Sequence, residues 1–522
     1  MSQFEQLIGV LLVAVLLAAA ARKIGTPYPA FLALVGAVLA FLPGTPAFSI
    51  DPEVALALFV APVLLDAAYD VSPRDLKDNW VPVLSLAVVS VILTTVAVAV
   101  VAHKLVPAMP WAAAVALGAI VSPPDAAAAI PVLRLLRPPH RILTILQGES
   151  LFNDAGALLI YRLAVGAVAM NSFSVRAVAP TILLVVVGSI VAGPVLAWLT
   201  LSWTKRVRDL PTAIILQFIS TFGVWILADR LGLSSVLTMV SYAIAVARRA
   251  PERIPARIRL PSYAVWDTAV FVLNVLAFVF IGLQIRPILT SLAPDTRTRY
   301  LSVAGAVLLI VIVVRIAWVM THNSILRWKI RRFGFHPRRP MDRPSLGSGL
   351  AISWAGMRGI VTLAAALALP MRAGGGPFPF RDLIVLTAFS VVLGTLVLQG
   401  LTLKPLLRLL DLQDDDPVGR EVDAARERAL QAALATLDDD HSPAAEAVRQ
   451  ELAAHLTHSS GDPAAAEARG SSHEEIHRRA LSAARRVAFD MRARDDIGDD
   501  AFHRLEEEFD WLEMGSGARE GA

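Results

Sequence analysis

Two acids and an amide stand inside a long apolar stretch: Glu149, Asn153 and Asp154, in the run Gly148-Glu149-Ser150-Leu151-Phe152-Asn153-Asp154. The surrounding residues 142–168 are apolar enough to span a bilayer. A charged side chain at bilayer depth costs about 3 kcal/mol on insertion scales and roughly 10 or more in simulations of an isolated helix, so such groups persist on ion and proton pathways. Helical spacing of four puts Glu149 and Asn153 on one face, with Asp154 about 100° further round. One acid can then be tied up structurally while the other looks into a cavity.

The rest of the chain must hold such a segment in a membrane. Its 522 residues are 56% hydrophobic and 18% charged, with mean hydropathy +0.60, too apolar for a soluble protein. Cysteine is absent, which excludes disulfides, Cys-ligated metals and thiol chemistry. The N-terminal Met-Ser-Gln-Phe-Glu-Gln lacks the basic segment of a cleaved signal peptide, so residues from Leu7 onward read as a retained span.

Hydropathy predicts an all-α polytopic membrane protein with about thirteen spans: 7–21, 30–42, 54–68, 81–101, 111–133, 142–168, 179–203, 212–227, 233–246, 264–285, 301–320, 350–369 and 383–401. Loop charge alternates to match. Arg22/Lys23, Arg74/Lys77, Arg134/Arg137/Arg141, Lys205/Arg206/Arg208, Arg248 to Arg259 and the run 327–343 fall on one side, which positive-inside assigns to the cytoplasm. The N-terminus is then expected outside, and everything after Leu401 inside. Residues 1–410 read as the membrane domain and 411–522 as a soluble cytoplasmic tail, mostly helical. In the tail Ala429, Leu430, Ala433, Leu434 and Leu437 recur at helical spacing, and 474–491 and 501–514 are two further helix candidates. Its histidines (His441, His455, His458, His473, His477, His503) titrate in a range suited to pH sensing, but solvated helix faces account for them more simply.

Two spans are expected to be broken at their centres. Ser122-Pro123-Pro124-Asp125 removes two backbone donors from the fifth, and Gly356-Met357-Arg358-Gly359 places a cation between two permissive glycines in the twelfth. Breaks seven spans apart point to an inverted repeat, spans one to six against eight to thirteen, with the site at the crossing.

With these residues in place, the chain resembles the monovalent cation/proton antiporters of the first subfamily, the bacterial sodium/proton antiporters and eukaryotic sodium/hydrogen exchangers. The run from Gly148 to Asp154, continued by Ala155-Gly156-Ala157-Leu158, is similar to the family signature. In the same order come Ser122-Pro123-Pro124-Asp125, the tenth-span stretch Phe278 to Gln284, Ser353 to Gly359, and Leu398-Gln399-Gly400-Leu401-Thr402. The resemblance covers residues 7 to 410.

It implies that Asp154 takes either a sodium ion or a proton. The physics agrees, because a carboxyl removed from water ionises less readily and the two ligands can compete for one site. Asn153 stands where electrogenic relatives have a second Asp; an amide carries no proton, which implies electroneutral exchange. Asp125 is expected as a ligand or a dipole-compensating anion at the fifth-span break. Pro124 departs from the more common Thr, so that hydroxyl must be replaced by a carbonyl, water or Ser150. Asp66 matches a third-span position where relatives carry Glu, and is a candidate cation ligand one methylene shorter. Glu149 and Arg315 are expected to form a buried structural pair, and Arg358 to compensate half-helix C-terminal dipoles.

The function so implied is secondary active Na+/H+ antiport regulating intracellular pH and Na+. K+/H+ or Li+/H+ exchange, a gated cation channel or pH sensor, and an antiporter-like subunit of a proton-pumping complex are the alternatives. The expected setting is the bacterial inner membrane, as a homodimer in lipid, with monovalent cations as substrates. No cofactor, enzymatic activity or nucleic-acid partner is expected.

Overall fold

Apolar runs in a bilayer have no water to satisfy backbone N–H and C=O groups, so they close those bonds within themselves. The computed structural model is accordingly helical almost throughout. It describes residues 2–412 apart from 25, 43–50, 137, 171–174, 208, 291, 335–343 and 374, and in the tail 420, 429–438, 442–443, 445–446, 448–450, 483–484 and 486–487.

Among the described residues eight helices are long and apolar enough to cross a membrane: Trp80–Leu105, Trp111–Leu136, His140–Met170, Pro180–Thr204, Leu210–Arg230, Ile258–Thr290, Thr296–Phe333 and Arg381–Leu410. Tyr28–Leu39 is a shorter apolar helix. Helices Ser2–Ile24, Ala61–Asp70, Ser235–Arg253, Leu346–Trp354 and Ile360–Leu367 fall on the other expected ranges. The protein is a multi-pass integral membrane protein.

Both expected breaks are present. The fifth range is Trp111–Val121, an irregular stretch and short 3-10 turn Ala126–Ala128, then Ile130–Leu136. The twelfth is Leu346–Trp354, five non-helical residues at 355–359, then Ile360–Leu367. Other boundaries move outward. The expected span 301–320 is the middle of a 40-residue helix, Pro294–Phe333. At 1.5 Å per residue it runs about 60 Å, roughly twice the hydrocarbon thickness. It continues through Arg327, Lys329, Arg331 and Arg332 because these are good helix formers, and stops at Gly334, whose φ of +62° gives the left-handed cap.

Small residues let helices approach closely. A Cβ on Gly282 would overlap the backbone of Ala33, Gly36 and Ala37, and one on Gly118 would overlap that of Thr95. Three wide π turns, Leu56–Val60, Ser85–Ser90 and Leu396–Gly400, interrupt otherwise α-helical spans. The only strands among the described residues, Arg372–Ala373 and Gly376–Pro377, pair antiparallel in a hairpin that the apolar patterning did not signal.

The core falls into two apolar clusters. One gathers Leu117, Ile120, Met357, Leu363, Phe389 and Leu396 around the breaks, and the other joins Leu64, Leu151, Val224, Trp225, Met239 and Val361. The chain divides into two compact units, Met1–Asp415 and Asp416–Ala522. In the second, residues 429–435 are helical and end in a turn. The expected tail helices at 474–491 and 501–514, apart from 483–484 and 486–487, and all six tail histidines lie outside the described residues.

Candidate functional site

Pro123 and Pro124 offer no N–H to continue the helix that ends at Val121, so the chain leaves it extended. Asp125 then starts the next piece, its Oδ1 accepting from the Ala127 N–H at 2.9 Å. At the second break the non-helical residues 355–359 end on Gly359, whose extended backbone precedes Ile360–Leu367. The two breaks meet: the Asp125 N–H donates to the Met357 carbonyl at 2.6 Å.

Four half-helix ends therefore converge inside the protein, each with a partial charge that calls for compensation. Fully buried Arg358 serves the end of Trp111–Val121, Nε donating to Val121 O at 3.1 Å and Nη2 to Ser122 O at 3.3 Å, with Nη1 on Gly356 O. Arg315 serves the end of Leu346–Trp354, Nε donating to Ser353 O and Nη2 to Ile352 O, both at 3.1 Å. Its guanidinium also holds Glu149 in a two-pronged pair, Nη1 to Oε1 at 2.6 Å and Nη2 to Oε2 at 2.9 Å. Both side chains are 1% exposed. At the start of Ile360–Leu367 the Asp125 carboxylate lies against Gly359, where any Cβ would overlap it.

The acidic helix His140–Met170 faces this crossing. Asn153 Nδ2 donates to Pro124 O at 2.7 Å, and Ser150 Oγ accepts from Ala126 N at 3.5 Å. Asp154 is 8% exposed and within electrostatic range of Asp125. The structure thus brings Glu149, Ser150, Asn153, Asp125, Arg315 and Arg358 into one hydrogen-bonded assembly, with Asp154 beside it. Asp66 is placed differently: it lines a cavity of about 550 Å³ with Arg134, Gln217, Tyr242, Arg259 and Trp266.

A second cavity, of about 670 Å³, reaches Ala155 and Leu158 next to Asp154 and carries Tyr161, Arg162 and Asp229 on its wall. The two cavities take opposite halves of the same helices: Gln217 to Thr221 against Phe222 to Arg230, and Tyr242 to Ala250 against Ser235 and Val236. Val224, Trp225 and Met239 on those helices are packed with Leu151 of the acidic helix in the second apolar cluster.

Two residues beside the assembly were given no role in the sequence, although Gln399 falls in the run Leu398 to Thr402. Thr395 is fully buried and its hydroxyl accepts the Arg358 N–H at 3.0 Å. Gln399, one turn on, is fully buried, and its side-chain carboxamide has no hydrogen-bond partner among the described residues. The available signal was an isolated Thr and Gln four apart in an apolar run. No group of three or more His, Cys, Asp or Glu is placed to hold a metal ion among the described residues.

A many-helix membrane protein with two helices broken face to face around buried carboxylates and arginines belongs to the class of ion-coupled transporters. Residues 10–409 match the family model described as "Sodium/hydrogen exchanger, transmembrane". An uncharacterized Na+/H+ exchanger of Mycobacterium tuberculosis is 35% identical over 421 residues, 78% of this chain and 75% of the relative. A sodium, potassium, lithium and rubidium/H+ antiporter of Bacillus subtilis is 28% identical over 504 residues, 94% of this chain and 74% of the relative. In fold, the chain is similar to the sodium proton antiporter MjNhaP1 of Methanocaldococcus jannaschii, with TM-score 0.59 and 18% identity, over 78% of this chain and all of that one. The chain belongs to the sodium/hydrogen exchanger family, a family of cation/proton antiporters rather than enzymes.

Proposed function

We propose that this protein exchanges one Na+ for one H+ across the bacterial inner membrane, using Asp154 as the group that binds either ligand. The observation that carries this is a buried aspartate beside two interlocked helix breaks, with one cavity reaching the adjacent Ala155 and Leu158 and another on the opposite halves of two of that cavity's helices. A carboxylate so placed must be neutralised before it moves through an apolar septum, by a proton or by a cation. If only the loaded forms reorient, downhill flow of one ion drives the other.

Asn153 is engaged with the Pro124 carbonyl and carries no proton, which supports electroneutral stoichiometry. Ser150, Asp125 and the Asn153 carbonyl oxygen are the oxygens near Asp154 from which cation ligands are drawn. Asp66, on a cavity wall, meets the ion during access. Glu149, Arg315 and Arg358 hold the frame. The proposal includes an inverted repeat built on the two broken pairs, an outside N-terminus, a cytoplasmic tail and a homodimer.

In everted vesicles an imposed proton gradient should collapse on addition of Na+ with the wild type, and stay intact with Asp154→Asn or Asp154→Ala. Normal exchange by either variant removes Asp154 from this role. The Bacillus subtilis relative, named for four alkali cations, supports a second reading with K+ or Li+ as substrate. The same vesicles tested with each cation, with and without valinomycin, separate the readings and the stoichiometry.

A further inference from the structure

Gln399 lies in the wide turn Leu396–Gly400 of the last span and is 0% exposed, yet neither Oε1 nor Nε2 has a hydrogen-bond partner among the described residues. A buried carboxamide is ordinarily satisfied, and one left open marks a bound water, an ion or a working group. Wide turns of this kind gather at functional sites for the same reason, since they break helical regularity locally.

The surroundings identify what this group works on. One turn before it, Thr395 accepts the Arg358 N–H. The next residue, Gly400, abuts the second break: a Cβ there would lie 3.2 Å from Met357 Sδ and 3.0 Å from Ala30 Cβ. Met357 gives its carbonyl to the Asp125 N–H, and Gly359 backs onto the Asp125 carboxylate. The last span thus meets the broken segment at Met357 and Arg358, and Asp125 meets it at Met357 and Gly359.

A dehydrated alkali cation suits Gln399 poorly, because the carboxamide offers one oxygen beside an NH2 that points positive charge at the ion. Water suits it well, donating to Oε1 and accepting from Nε2. We propose that Gln399 is a positioning residue for exchange, its carboxamide holding a buried water against the Met357–Arg358 segment and so fixing the backbone on which Asp125 rests. The proposal rests on the exchange reading above only for the word exchange; the water site stands apart from it.

Gln399→Met keeps the length and removes both hydrogen-bonding ends. Were the amide mere filling, this change would leave transport untouched, since an apolar group is the better filling for a dry site. The expected result is an apparent KM for Na+ raised by about tenfold with the thermal midpoint unchanged or higher; a wild-type KM overturns the proposal. Brief X-ray radiolysis in isotopically labelled water provides a test that needs no variant to fold. Met357, 0% exposed, should take up labelled oxygen in the wild type, and its failure to do so overturns the proposal. Wild-type vesicles without Na+/H+ exchange would sink the exchange reading and leave the Met357 result intact.

Discussion

Arg315 has almost no contact with solvent and spends its guanidinium on two backbone carbonyls and both oxygens of Glu149. Such a pair is worth little against a hydrophobic replacement of equal volume, because desolvation offsets most of the attraction, but losing one partner orphans a buried charge. Glu149→Gln should therefore lower stability by about 3–5 kcal/mol, seen as a reduced thermal midpoint in detergent. Glu149→Leu with Arg315→Met should recover much of that loss while leaving the carbonyls of Ile352 and Ser353 without their donor. A single-variant midpoint equal to wild type would show the pair to be dispensable. The pairing was legible before any geometry, because an arginine in mid-span needs a carboxylate and the acidic helix has one to spare. Arg358's choice of Val121 and Ser122 as partners was legible only as a need for some helix end, since sequence spacing does not say which end lies nearest.

At the level of elements, the two breaks were readable because Pro-Pro and a Gly-flanked arginine leave few alternatives in an apolar span. Their interlock was not, because it depends on close approach between segments some 230 residues apart. Gly359 shows the tolerance. Its position is filled to contact by the Asp125 carboxylate, whereas Gly305, on the 40-residue helix, has open space around its missing Cβ. Gly359→Ala should cut exchange by about tenfold or more by pushing Asp125 off the start of Ile360–Leu367, while Gly305→Ala should exchange at the wild-type rate. Parallel vesicle assays decide this, and equal rates for the two variants would mean that the contact does not matter. The wide turns lay beyond sequence reading, since one extra residue per turn leaves no mark in an apolar pattern.

Across the whole molecule, stability should respond to acid through a tie between segments 65 residues apart. His140, the first residue of the acidic helix, has Nε2 3.1 Å from Asp75 Oδ2 on the short helix Pro73–Asp78. Burial pushes the Asp75 carboxyl up, but the hydrogen bond and charge of His140, with Arg74 and Ser72, outweigh it and hold the group below the ordinary carboxylate range. A lowered folded-state value means that Asp75 stabilises fully above the unfolded value, near 3.9, and that the benefit drains as pH falls through the folded value. Thermal midpoints of wild type should thus exceed those of Asp75→Asn near neutrality and begin to approach them only as pH falls below about 4; parallel curves would show that the tie contributes nothing. A larger consequence follows from Arg358, which belongs to one broken pair and clasps the end of the other, while Asp125 returns the grip in the opposite direction. These bonds join the two pairs in both directions, and parting them would leave a buried arginine and a buried N–H without acceptors. Any rearrangement that separates the two pairs must therefore orphan those buried groups, whereas one that carries the pairs together need not.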